Sequence, residues 1–520
     1  MKFESAFNPK EFPNLQISKS MKIFSAAQIK NWDAYTIANE PITSINLMER
    51  AAAACYHWLM KVYGHQKEYA VFCGTGNNGG DGLAIARMLQ HANIKTNVLV
   101  IGDAETGSAD FKINLARLKE TGTPISFITE TLITIPSSKT VIIDAVFGTG
   151  LNRPAADYRQ SIIEQINACT NEIVSIDIPS GLFADASSTG NTVINATHTL
   201  SFQCYKLAFL MAENAAHVGT VTILDIGLHT GFLNEVQPCF NFIEKELVKT
   251  IYHPRNAHAH KGNFGHAMII GGSNGKMGAV ILAAGACLKS GAGLLTVSVP
   301  PAENVIIQIG LPEAMTSTEI LTEELADKYT VLGIGPGWGT GKKVQKQLHL
   351  ILKNYKKPVV LDADALNCLS LNKSWLKLLS PGSVLTPHPK EFERLFGRSA
   401  NDFERIELAK KNALLYNVII VVKGHFTAIA SPHETVVFNT TGNPGMAKGG
   451  SGDVLTGIIT GLLCQGYLPH DAAVMGVYLH GLAGDIAAEE TSQESMLAGD
   501  IINCLGKAFT TLNPVNRNID

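Results

Sequence analysis

Strand-like and helix-like segments alternate along almost the whole of this 520-residue chain, in two separate series. Short apolar runs at 69–73, 96–101, 125–128, 140–146, 172–178 and 221–225 are separated by helical patterns, for example at 82–91, 110–121 and 158–169. Such alternation predicts a largely parallel sheet with helices on both faces, because parallel neighbours need long crossovers. The pattern lapses between about 229 and 263, where Pro238 and Pro254 sit in a stretch rich in His, Arg and Asn. It resumes at 266–271, 294–299, 330–335, 358–362, 383–386 and 418–423, and closes in helices near 453–465 and 471–490. A chain this long exceeds one ordinary core. The expectation is two α/β domains, at 21–230 and 245–512, behind an N-terminal arm at 1–20. In open sheets of this class ligands bind beyond the carboxyl ends of the strands, so the informative residues are those just after each strand.

The run at 69–73 leads into GTGNNGGDG at 74–82 and then a helix. Glycines let the backbone approach a phosphate, and a helix N-terminus offers free N–H groups and the positive end of its dipole. Gly74, Gly76 and Gly79 satisfy G-x-G-x-x-G, with Asp103 at the end of the next strand as the candidate ribose acid. A plain tight turn satisfies the same pattern. Asn77, Asn78 and Asp81 sharpen it, since they put three polar side chains into a loop where a simple turn needs none. Asp144 opens DAVFGTG, and Asp177 opens DIPSG, which ends at Ser180 and Gly181. Asn78, Asp144 and Ser180 thus converge on one crevice. One carboxylate with neutral oxygens suits a hard cation, and its low charge favours a monovalent ion; the alternative is that these residues cap turns and bind nothing. Asp177 is the best acid–base candidate of this half.

In the second half, GGSNGKMG at 271–278 misses the P-loop pattern, because Ile270 stands at its first glycine position and Met277 at its Ser/Thr position. GIGPGWG at 333–339 offers backbone without side-chain bulk. LDADAL and LTPHPKEF bring Asp364 and His388 to strand ends, with His388 equally open to a structural or a functional reading. The densest segment is NTTGNPGMAKGGSGDV at 439–454. Gly449, Gly450 and Gly452 expose consecutive N–H groups as a helix begins, which suits phosphate oxygens and the charge that develops in phosphoryl transfer. Asp453, desolvated beside that anion hole, is placed to take a proton from an attacking hydroxyl.

Composition removes other classes. The chain is 46% hydrophobic and 17% charged with 47 glycines, a packed α/β profile. A net charge of −3 without a basic block argues against nucleic acid. No apolar stretch reaches the roughly 18 residues of a membrane span, and the richest, 278–287, reads as a buried helix. The first twenty residues lack an apolar signal core. The nine cysteines form no C-x-x-C pair, so buried free thiols and a reducing cytoplasm are expected. His253, His258, His260 and His266 match no metal-site spacing and read as surface loop.

GTGNNGGDG, DAVFGTGL and SIDIPSG together resemble the N-terminal domain of NAD(P)H-hydrate epimerases, over about 21–230. The resemblance implies a Rossmann-like three-layer αβα domain. It further implies that Asn77, Asn78, Gly79, Gly80, Asp81, Gly148, Thr149, Gly150, Leu151, Asn152, Arg153, Pro154 and Asp177 contact the hydrated nucleotide. By the same resemblance Asp177 is catalytic, Asn78, Asp144 and Ser180 bind potassium, and Lys206 faces the substrate. NPGMAKGGSGDVLTG, LTPHPKEFERL and GSNGKMGAVILAAGACLKSGAGL resemble ADP/ATP-dependent NAD(P)H-hydrate dehydratases of the ribokinase-like superfamily, over about 245–512. That resemblance implies nucleotide contacts from Lys423, Gly424, His425, Phe426, Thr427 and Gly452, and substrate contacts from Ala279, Gly337, His388 and the catalytic Asp453. Expected, then, are a bifunctional isomerase and lyase acting on NADHX and NADPHX, with K+ in the first domain and Mg2+ with ADP or ATP in the second. A cytoplasmic homo-oligomer, tetramer favoured, goes with it. The rival reading is a ribokinase-like small-molecule kinase whose N-terminal domain binds nucleotide without turnover.

Overall fold

The computed structural model describes residues 22–512 apart from 132, 134–135 and 319–326; the arm expected at 1–20 lies outside the described residues. Among the described residues, eighteen strands build two sheets. The first eight are β1 (Lys22–Ile23), β2 (Tyr69–Cys73), β3 (Thr96–Ile101), β4 (Ile125–Ile128), β5 (Val141–Ala145), β6 (Ile173–Ile176), β7 (His198–Phe202) and β8 (Thr220–Leu224). Then come β9 (Phe240–Phe242), β10 (His266–Ile270), β11 (Leu294–Ser298), β12 (Met315–Ser317) and β13 (Val331–Ile334). The last five are β14 (Val359–Leu361), β15 (Val384–Leu385), β16 (Ile419–Val422), β17 (Ala428–Ala430) and β18 (Val437–Phe438).

The seven-stranded sheet runs β4-β3-β2-β5-β6-β7-β8, and every pair is parallel. Strands β2 and β5 are buried at every residue, which is why they read as unbroken apolar runs rather than alternating ones. The chain winds from β2 outward to β4, then restarts at β5 on the other side, so the order reverses between β2 and β5. A crevice opens beyond the carboxyl ends of strands at such a point.

The eleven-stranded sheet runs β1-β9-β18-β17-β16-β15-β14-β13-β10-β11-β12. It is parallel from β12 to β16, and its order reverses between β10 and β13. Strands β17 and β18 return antiparallel, and β9 then joins β18 in parallel. The helix Met277–Lys289 is buried as expected and packs on the helix Ser451–Cys464. The crossing is close at Gly457, where a Cβ would stand 2.0 Å from the Ala283 carbonyl oxygen.

Two short strands cross the expected division of the chain. Lys22–Ile23 precedes the first domain's helices yet pairs antiparallel with β9, inside the second sheet, and Ile23 also bridges Tyr205 of the first domain. Strand β9 itself lies in the stretch where the pattern lapses. Strands of two and three residues leave no periodicity to read, and only the neighbouring edge specifies them. After β1 the chain enters a helix, Ala26–Asn39, which Ser25 and Gln28 close with a reciprocal capping box.

Seven of the nine cysteines are buried and all nine are free. Among the described residues no helix is long and apolar enough to cross a membrane. His253 stacks on Tyr467 within the loop expected there. His266 departs from the surface-loop reading: it opens β10, is half-buried, and its Nε2 lies 2.9 Å from Thr296 Oγ1.

Two candidate active sites

In the first domain the helix after β2 spans Asn77–His91, so Asn77, Asn78, Gly79, Gly80 and Asp81 form its first turns and not a loop. The tightness of the turn explains the glycines: a Cβ on Gly79 would stand 1.8 Å from the Gly74 carbonyl oxygen. Asn78 Nδ2 donates to the Phe147 carbonyl at 3.0 Å and ties this helix to the loop after β5. Its Oδ1 is buried and has no hydrogen-bond partner. Asp144, fully buried, accepts from Ser175 Oγ at 2.7 Å, the Ser180 N–H at 2.9 Å and Ser180 Oγ at 2.5 Å. Burial raises its carboxyl, and the hydrogen bonds from Ser180, Ser175 and Val146 oppose the rise. No ion pair with a Lys or Arg compensates it among the described residues.

Asp177 adopts φ +67°, the left-handed region that non-glycine residues rarely enter and that marks functional strand ends. Its Oδ2 accepts from the Thr149 N–H at 3.2 Å, and its Oδ1 pairs with Lys206 Nζ at 2.7 Å. Lys206 is 1% exposed and also donates to Ser201 Oγ and to the Phe202 carbonyl. A Cβ on Gly148 would lie 3.4 Å from Asp177 Oδ2 and 3.2 Å from Asn78 Cβ, so three separate motifs meet there. Residues 151–154 form the more exposed rim. Asp103 does not join them; it is exposed and caps the short turn that follows, accepting from the Glu105 N–H at 2.9 Å.

Sequence reasoning missed Asp33. The helix Ala26–Asn39 is tied to the segments that follow β6 and β8, by the Ala26 N–H on Asp185 at 2.8 Å and Trp32 Nε1 on the His229 carbonyl at 2.9 Å. Burial first, and the Asp177 carboxylate second, push the Asp33 carboxyl up to about 6 against the pull of Lys206. No motif or spacing signals this residue.

In the second domain the helix Ser451–Cys464 starts from Gly450 at φ +96°, a conformation that favours glycine. Helix geometry leaves the first-turn N–H groups of Gly452 and Asp453 without an intrahelical acceptor. Asp362, 1% exposed at the end of β14, receives Lys423 Nζ on one oxygen and Thr456 Oγ1 on the other, each at 2.8 Å. A Cβ on Gly452 would stand 3.2 Å from Lys423 Nζ, which brings the glycine-rich segment and the start of 423–427 together. Burial, then the neighbouring Asp362, raises the Asp453 carboxyl to about 7, with Lys423 opposing. That value suits a general base near neutrality.

The remaining residues surround this cluster. Gly337 takes φ +62°, and a Cβ there would touch Ala279 Cβ at 3.2 Å, so those two are neighbours. Asp364 accepts from the Gly339 N–H at 2.7 Å and fixes the glycine loop after β13. His388 caps the helix Pro389–Phe396, its Nδ1 accepting from the Lys390 N–H at 3.1 Å, and burial lowers its pKa. Residues 423–427 turn between β16 and β17, closed by Thr427 Oγ1 on the Gly424 carbonyl at 3.0 Å. Asp362, Thr456 and His480 were not singled out from sequence. His480 lies 3.3 Å from Ser451 Oγ, and burial lowers its pKa to about 4, so it is neutral at pH 7. A cavity of about 450 Å³ separates the domains, between Tyr205, Phe209 and Met211 on one side and Lys423, His425 and Phe426 on the other.

A family model described as NAD(P)H-hydrate dehydratase matches residues 267–507. Another, described as YjeF-related protein N-terminus, matches residues 44–208. A bifunctional NAD(P)H-hydrate repair enzyme from Moorella thermoacetica is 35% identical over 510 residues, 93% of this chain and 96% of that protein. One from Escherichia coli K12 is 34% identical over 471 residues, 89% of each chain. Among solved structures, the ADP/ATP-dependent NAD(P)H-hydrate dehydratase from Bacillus subtilis, co-crystallized with ATP/Mg2+, is 33% identical, covering 52% of this chain and 98% of that one with a TM-score of 0.46.

Proposed function

The chain belongs to the family of bifunctional NAD(P)H-hydrate repair enzymes, and we propose that its two sites divide the repair between Asp177 and Asp453. The substrate is a nicotinamide nucleotide that has added water across its reduced ring. Its hydroxyl sits on a carbon bonded to the ring nitrogen, and hydroxide is a poor leaving group. The first domain interconverts the R and S hydrates, so that a dehydratase accepting only the S epimer clears both. The observation that carries this reading is the pairing, in one chain, of a buried Asp177–Lys206 ion pair with an Asp453 carboxyl raised to about 7 beside a helix N-terminus.

In the second domain Asp453 takes the proton of the substrate hydroxyl, and that oxygen attacks the terminal phosphorus of ADP or ATP. The N–H groups around Gly450 to Asp453 receive the phosphate oxygens whose charge grows in the transfer. Phosphate then leaves with push from the ring nitrogen, and the neighbouring ring carbon gives up a proton to the departing phosphate or solvent, which restores the ring double bond of NAD(P)H. Residues 423–427 hold the nucleotide, with Lys423 fixed by Asp362; Ala279, Gly337 and His388 line the substrate side. Magnesium, when bound, neutralises the nucleotide phosphates. Among the described residues no group of three or more His, Cys, Asp or Glu could hold it alone, which fits a cation held mainly through phosphate oxygens.

In the first domain Asn77 to Asp81 and 148–154 hold the nucleotide, and Asp177 handles the proton as the C–O bond breaks and re-forms. Asn78, Asp144 and Ser180 suit potassium: the buried, unpartnered Asn78 Oδ1 and the uncompensated Asp144 both want a hard monovalent cation. Such an ion would stiffen the crevice between β2 and β5. The cysteines, free and mostly buried, suit a reducing cytoplasm, and a tetramer is the assembly we carry forward for light scattering to weigh.

The test mixes R and S NADPH hydrate with the protein, magnesium, potassium and either ADP or ATP, and follows the returning dihydronicotinamide absorbance. Recovery of both epimers faster than the spontaneous rate is expected, with the effective donor named by the comparison. Recovery of the S fraction alone removes the epimerase, and a stoichiometric phosphorylated product instead of NADPH would favour a kinase. Replacing potassium by sodium should slow epimerisation and leave dehydration unchanged.

A further inference from the structure

Inverting a carbon that carries a hydroxyl requires proton traffic on both faces of the ring: one group must protonate the departing oxygen and another must deprotonate the arriving water. Asp177 is a single carboxylate, already engaged by the Thr149 N–H and by Lys206. The helix Ala26–Asn39 supplies a second acid from the other side of the crevice. It is pinned to the segment after β6 at Ala26, through Asp185, and to the segment after β8 at Trp32, through the His229 carbonyl. Ile29, Trp32 and Thr36 are buried beneath it, and Ile29 and Trp32 share a cluster with Phe24 and Cys204, two residues before Lys206. Asp33, half-buried, stands one turn after Ile29 and one turn before Thr36, on the face of the helix that packs toward the segment carrying Cys204 and Lys206.

We propose that Asp33 is the second acid–base group of the epimerase site, working opposite Asp177; the inference rests on the epimerase reading of the first domain. The Asp177 carboxylate raises both Asp33 and Asp81, and the Lys206 ammonium bonds Asp177 itself. The three carboxylates cannot all ionise in so dry a place. Burial holds Asp81 well above the usual carboxylate range, and Lys206 pairs with Asp177, so Asp33 is the group that exchanges a proton near neutrality.

In one direction the ring-nitrogen lone pair expels the hydroxyl, the C–O bond breaks, and the oxygen takes the Asp33 proton and departs as water. A water on the opposite face then adds to the ring carbon, gives its proton to Asp177, and the electron pair returns to nitrogen. One proton has moved from Asp33 to Asp177. The reverse passage, or exchange through Lys206 and solvent, returns it.

The experiment measures R/S interconversion without ADP or ATP, so that dehydration is silent. In Asp33→Asn the epimerisation rate should drop on the order of 100-fold or more, with KM little changed and dehydration of the S hydrate at the parent rate when ATP is added. In the parent, epimerisation should decline above about 6 as Asp33 loses its proton; Asp33→Asn should lack that decline, and Asp33→Glu should regain it with part of the rate. Parent-like epimerisation in Asp33→Asn, or a slower rate with the alkaline decline intact, overturns the assignment. A parent profile flat through that region overturns it without any variant. A parent that never epimerises fails at the earlier step, because it removes the epimerase reading itself.

Discussion

At the carboxyl end of the seven-stranded sheet the reactive groups are side chains drawn from distant parts of the chain; at the eleven-stranded sheet they are largely main chain from one short segment. Asp33, Asn78, Asp144, Asp177 and Lys206 come from five elements or loops. The proposed anion hole of the second site is built almost wholly within 449–453, and only its neighbours, Asp362 and Lys423, arrive from elsewhere. Both sites nonetheless hold a carboxyl raised toward neutrality by burial and a neighbouring carboxylate, with a lysine opposing. The same electrostatic arrangement is reached twice, once with Lys206 buried and bonded to the central carboxylate, once with Lys423 bonded to its neighbour, Asp362. In each, the lysine bonds a carboxylate that neighbours the raised one, Asp177 beside Asp33 and Asp362 beside Asp453.

The largest effect that could break this division of labour is Asp453→Asn. Dehydration should fall by about 100- to 10,000-fold while R/S interconversion continues at the parent rate, read as absorbance recovery against chromatographic separation of the epimers. Dehydration at the parent rate would end the role given to Asp453. Next is Lys206→Met, which removes a buried ammonium and leaves the largely covered Asp177 without its partner. Breaking such a pair costs about 3–5 kcal/mol, so the first domain should unfold at lower temperature, and Lys206→Met with Asp177→Asn should recover part of that loss. Additive losses in the double variant would mean that the pair does not couple.

The pH dependence sharpens the contrast. Asp453 must be ionised to accept a proton, and its carboxyl stays protonated below about 7. Dehydration kcat/KM should therefore climb about tenfold per pH unit below that point and level off above it, whereas epimerisation should decline on the alkaline side. Coincident profiles would erase the distinction between the sites. The smallest effect belongs to Thr456→Val, which removes the 2.8 Å hydrogen bond to Asp362. A loss of about 1.5–3 kcal/mol is expected for a bond to a buried carboxylate, seen in denaturant unfolding of the second domain, with epimerisation unaffected.

How much of each site was legible follows from the same contrast. Consecutive glycines before a helix carry their meaning locally, because exposed N–H groups need only their own backbone. Asp177 and Asp144 could also be found, since each ends a strand whose apolar run announces it. Asp33 lies mid-helix, surrounded by nothing unusual, and 144 positions before Asp177 in sequence. His388 was readable as a residue at a strand end, but only the structure shows its ring capping the next helix. The polar residues at 77–81 were legible as a motif yet not as helix, because glycines are poor helix formers and only the close approach to Gly74 favours them there.

By itself the sequence determined two largely parallel sheets, their approximate strands, the points after each strand where chemistry could sit, and the family whose motifs fill those points. Those properties follow from local periodicity and from residues adjacent in the chain. Tertiary structure alone decided that β1 and β9 join the second sheet, that Lys206 is buried against Asp177, that Asp362 holds Lys423, and that the helix Ala26–Asn39 delivers Asp33. Each of these depends on which distant groups share a small, poorly solvated space, and burial together with charge pairing acts through that space and not along the chain.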